Sequence, residues 1–81
     1  MGWSESVRNR RLNELCSLLE KASSFEEQGD CCFSESPTDA RGKYIKSYSA
    51  LNHALNLAAD YGFSDYVPDI LNRLKALERR L

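Results

Sequence analysis

The side chains able to do chemistry in this sequence are few: one histidine, His53, and three cysteines, Cys16, Cys31 and Cys32. A general base or a nucleophile needs a partner within hydrogen-bond reach. Helical periodicity puts His53 about 200° around the helix from Leu51, in a polar sector with Lys46, Ser49, Asn52, Asn56 and Asp60. It is expected to face solvent. Cys31 and Cys32 are adjacent, without the spacer of roughly two to four residues that lets paired thiolates chelate zinc in a tetrahedral site. They read as loop thiols, and Cys16 as a small core hydrophobe. There is no glycine-rich phosphate loop, and the carboxylates gathered after the first helix have no apolar pocket to raise a pKa. The expectation is a chain with no catalytic residue, no metal site and no cofactor.

Composition agrees with that reading. With 81 residues, 42% of them hydrophobic and 28% charged, the chain is expected to form one small helical domain, read as a segment of a larger protein. The formal net charge of −1, from 11 Lys and Arg against 12 Asp and Glu, lacks the basic excess that nucleic acid demands. No apolar run approaches the ~20 residues of a membrane span, so no direct membrane insertion is expected. An odd cysteine count with no cleavable leader points to an intracellular, cytoplasmic setting. The opening Met1-Gly2-Trp3-Ser4-Glu5-Ser6 formally matches the N-myristoylation pattern, but the bulky Trp3 speaks against it.

The elements that must position any site are helices, because apolar residues recur at three- and four-residue spacings. Helix one is expected over about 4–27, with Val7, Leu12, Leu15, Cys16, Leu18, Leu19, Ala22 and Phe25 on one side and Gly29-Asp30 as its stop. Helix two is expected over about 37–61. Ser36-Pro37-Thr38-Asp39 reads as a capped start, and Gly62 as a C-terminal cap. Tyr44, Tyr48, Leu51, Leu55 and Ala58 form its spine, and Gly42 inside it costs about 1 kcal/mol against alanine. Helix three is expected over about 65–81, with Val67, Ile70, Leu74, Leu77 and Leu81 as a heptad-like seam.

Loops of roughly nine and three residues favour antiparallel neighbours, hence an all-α, up-down-up three-helix bundle. That arrangement sets the acidic stretch Glu26, Glu27, Asp30, Glu35 and Asp39 beside the basic tail Arg73, Lys75, Arg79 and Arg80. It likewise sets Arg8, Arg10 and Arg11 beside Asp60, Asp65 and Asp69. In the connecting loop, Ser36-Pro37 has a proline-directed look, although a plain cap accounts for it.

Apolar and small residues cover roughly 240° of helix two, from Leu57 and Ala50 through Ala54, Tyr61, Leu51, Tyr48 and Tyr44 to Ile45. Burial between helices one and three accounts for such an arc. The alternative is that its small-residue side stays open as a groove for a partner's amphipathic helix.

The run Gly42-Lys43-Tyr44-Ile45-Lys46-Ser47-Tyr48-Ser49-Ala50-Leu51-Asn52-His53-Ala54-Leu55 resembles the Gly-x-Tyr-x-x-small-x-x-x-large-x-x-Ala-large pattern of the microtubule interacting and trafficking (MIT) domain. The tetratricopeptide helical hairpin shares that pattern. The final stretch from Ile70 to Leu81 is also similar to the terminal MIT helix. One departure is that Gly42 falls inside helix two, where the family tends to place its glycine between helices one and two. The resemblance implies a three-helix bundle that recruits its host to ESCRT-III-type membrane-remodelling filaments, with endosomal trafficking as the setting. Partner peptides would lie between helices two and three or, when extended, between helices one and three. Projected onto this chain, the first groove takes Ala50, Ala54, Leu57, Tyr61, Ile70, Arg73, Leu74 and Leu77.

The function expected from the sequence is therefore a non-catalytic adaptor that binds a helical or extended peptide of a protein partner. Two rivals stand beside it: a homo-oligomerisation module such as a homodimer, built on the helix-three seam, and a helical regulatory appendage of an enzyme.

Overall fold

A computed structural model describes residues 5–81. The Met1-Gly2-Trp3-Ser4 opening lies outside the described residues, and with it the acylation pattern and the expected first residue of helix one. The described chain is an all-α three-helix bundle: α1 (Glu5–Cys32), α2 (Pro37–Tyr61), a short 3-10 turn (Ser64–Tyr66) and α3 (Val67–Glu78).

α2 has the expected bounds, and its ends show why. Pro37 takes the first helical position, where a missing N–H costs nothing. Gly62 takes a left-handed φ of 74° and donates its amide to Ala58 O, as does Phe63 at 2.8 Å. That geometry turns Phe63 back into the core at 5% exposure, which is the hydrophobic contact typical of such a helix end. Ser36 stands at the N-cap, and its carbonyl accepts from Ala40 N at 3.0 Å, but its side chain makes no capping bond. The expected capping box is therefore absent. The first-turn residues Thr38 and Asp39 are exposed, so water can serve their amides.

α1 overruns its expected stop. Gly29 does not end it, because this glycine answers a packing need: a Cβ there would lie 2.7 Å from Tyr44 Cε1. Tyr44 is 3% exposed, and its burial against Gly29 offsets the helix cost of the glycine. The link between α1 and α2 consequently shrinks to residues 33–36. Leu15, Ala22 and Gly29, seven apart, form the buried line of α1. Ser47, wholly buried on α2, donates from Oγ to Ala22 O at 2.7 Å.

Contacts along α1 and α2 pair in opposite order: Arg11 with Tyr61, Ala22 with Ser47, Asp30 with Tyr44. Those between α1 and α3 ascend together: Leu19 and Ser23 with Arg73, Glu26 and Asp30 with Arg80. α3 buries Ile70, Leu74 and Leu77 and ends at Glu78, short of the expected 81. Most of its seam is thus spent inside the chain, with Leu81 left 41% exposed.

Two further expectations fail. Cys16 is exposed, not in the core. It lies about 100° around α1 from buried Leu15, off the buried line of Leu15, Ala22 and Gly29. Val7, nearer the helix start, is 37% exposed.

Candidate functional site

The eight residues projected onto one groove do not share one. Leu57, at 8%, and Ala54, Ile70, Leu74 and Leu77 are closed into the core, while Ala50, Tyr61 and Arg73 are half-buried. Helix geometry explains the separation. Tyr48 meets α3, its hydroxyl donating to Glu78 Oε1 at 2.8 Å. Leu57, nine residues on, points about 180° away, and Ala50 about 200° away. Tyr61 accordingly lies under the Arg11 guanidinium of α1, 5.3 Å from ring centroid to Cζ. The small-residue side of α2 therefore turns away from α3, and the α3 half of the set packs on a different side of α2.

The concavity beside α3 lies instead between α3 and α1. It is a cleft of about 480 Å³ lined by Leu19 of α1, Tyr66 of the 3-10 turn, and Asp69, Ile70, Asn72 and Arg73 of α3. Half-buried Leu19 gives it an apolar wall over the buried Ile70, and the other four give it a polar rim. Arg73 is held across it, donating from Nη2 to Ser23 Oγ at 2.7 Å and to Leu19 O at 3.5 Å. Of the projected residues, Ile70 and Arg73 belong to this cleft. Tyr66 was expected at a groove edge, whereas Leu19, Asp69 and Asn72 escaped sequence reasoning about the groove. Leu19 had been placed on the apolar side of helix one, but only the seating of α3 shows which groove it lines.

A second cleft, of about 600 Å³, opens where the last turns of α1 meet the first turns of α2. It is lined by Gln28 and Cys32 from α1 and by Thr38, Asp39, Gly42, Lys43 and Lys46 from α2. The ammonium groups of Lys43 and Lys46 lie 5.9 and 5.8 Å from the Phe25 ring centroid.

Asp30 ties α1 to α2 and to the residues that follow α3. It accepts from Tyr44 Oη at 2.5 Å and from Arg80 Nη1 at 2.9 Å, and Arg80 also pairs with Glu26 at 3.2 Å and lies over the Tyr44 ring. The bond to Asp30, then burial, holds the Tyr44 phenol above its ordinary pKa, with Arg80 acting in the opposite direction. Here the acidic stretch and basic tail meet as expected. At the other end they do not: Arg11 pairs with Glu14 of its own helix at 2.7 Å, and Arg8 lies over Phe63. The rings closing the end of α2 offer cation–π contacts to arginines expected to meet Asp60, Asp65 and Asp69.

His53 is exposed, as its sector required. Cys31 is exposed and Cys32 half-buried, its thiol donating to Gly29 O at 3.7 Å within the helix rather than lying in a loop. Among the described residues no group of three or more His, Cys, Asp or Glu is placed to hold a metal ion, and no helix is long and apolar enough to cross a membrane. No family model matches the chain, and no curated protein or solved structure matches it either.

Proposed function

We infer that this domain is a non-catalytic protein-interaction module that takes a short, extended peptide tail of a partner protein in the cleft between α1 and α3. The observation that carries this reading is the cleft itself. Half-buried Leu19 supplies its apolar wall over the buried Ile70, and the Arg73 guanidinium is already oriented by Ser23, so little side-chain ordering remains to oppose binding. Tyr and Arg at a cleft edge are residue types that carry interface energy. The likeness of Gly42–Leu55 to the MIT pattern supplies the partner class: the C-terminal tails of ESCRT-III-type membrane-remodelling subunits, met in the cytoplasm and at endosomes, to which the domain would recruit its host protein.

Titration of the domain with a panel of such tail peptides tests this. Binding is expected with a Kd on the order of micromolar to millimolar. Asn72→Trp, a change at an exposed position that fills the cleft, should weaken it by tenfold or more while leaving the helical signal unchanged. An inert titration across the whole panel overturns the reading.

A further inference from the structure

The fold explains two of the glycines in the described chain and leaves the third unexplained. Gly29 makes room for Tyr44, and Gly62 takes a positive φ. Gly42 does neither. It sits exposed within α2, and a Cβ added there would meet nothing within 4 Å. Folding alone favours alanine at such a position, because glycine in a helix interior surrenders more backbone freedom and packs nothing.

What Gly42 does is shape the cleft at the junction of α1 and α2. A residue without a side chain in the lining of a cleft lets another backbone come close. The flanking charge is basic: Lys43 and Lys46 lean over Phe25, and the ion pairs found among the described residues lie elsewhere. Asp39, one helical turn before Gly42 and Lys43 in the same lining, sits in the first turn of α2 and can receive a peptide N–H.

We propose that this cleft docks an extended acidic peptide segment, its backbone crossing at Gly42 and its carboxylates meeting Lys43 and Lys46. The charge sign selects the ligand class. The open glycine selects its form, since a helical occupant would be held off by its own side chains. The site is separate from the cleft between α1 and α3 and does not depend on it.

The test is an amide NMR titration of the 81-residue domain with an octapeptide alternating glutamate and leucine, with lysine in place of glutamate as the control. The acidic peptide should shift the amides of Gln28, Gly42 and Lys46, and the basic peptide should not. Gly42→Ala should raise Tm by about 4–8 °C yet bind several-fold more weakly. Gly42→Gln, and separately Lys43→Glu with Lys46→Glu, should weaken binding at least tenfold with the helical signal intact. Wild-type affinity in Gly42→Gln overturns the proposal. So do shifts centred on Leu19 and Arg73, a response to anionic phospholipid vesicles without one to the peptide, or shifts at these amides that follow protein concentration alone.

Discussion

The two faces of the α1–α2 hairpin are built from the same residue types and put them to different use. On the face that α3 covers, charges find partners: Arg73 reaches Ser23 and Leu19 O, Arg80 reaches Glu26 and Asp30, and Tyr48 reaches Glu78. At the seam between α1 and α2, Gly29 is filled by a ring. On the other face, Lys43 and Lys46 rest on Phe25, and Gly42 opens onto empty space. The covered face is organised by folding. The open one carries features that folding leaves unused, and those are where a partner would add contacts.

Core truncation gives the largest expected effect and anchors the covered side. Leu51→Ala, at a position 1% exposed, should cost about 2–5 kcal/mol in chemical denaturation, whereas Ile45→Ala, at 52% exposure, should fall within about 0.5 kcal/mol of wild type. Next come the two glycines, whose substitutions should differ in sign. Gly29→Ala forces a methyl into the Tyr44 ring and should destabilise by about 1–3 kcal/mol, while Gly42→Ala should stabilise by about 1 kcal/mol. Equal signs would dissolve the contrast between the faces.

The Tyr44–Asp30 bond predicts a pH dependence smaller than either. A phenol whose folded pKa is raised contributes stability that is whole below the ordinary tyrosine value of about 10 and is lost as pH rises through the folded value. Denaturation midpoints should therefore fall as pH rises above about 10 in wild type and fall less in Tyr44→Phe. A small effect belongs also to Arg80→Gln. Its pairs with Glu26 and Asp30 are 41% exposed on the arginine side, and their loss should cost about 0.2–1 kcal/mol, less at high salt.

Some of the candidate site was legible beforehand and some was not. Arg73 and Ile70 could be named because the resemblance of the last helix to the terminal MIT helix projects them onto a groove, although a different one. Leu19 and Asn72 could not be assigned to the same cleft, since their meeting depends on where α3 rests on the α1–α2 hairpin. Gly42 was visible as a weak point of helix two. Its exposure over a basic cleft was not.

The sequence by itself determined the number of helices, both ends of α2, the exposure of His53 and the meeting of the basic tail with the acidic stretch. Each follows from local spacing, from a proline or glycine whose backbone preference acts on its own turn, or from the order of charges along the chain. Tertiary structure alone decided that α1 runs through Gly29 to Cys32, that Cys16 is exposed, and that Leu57 and Tyr61 turn away from α3. The physical reason is common to all three. A helical sequence settles the angle between side chains, about 100° per residue, but which angles are covered depends on where the neighbouring helices settle.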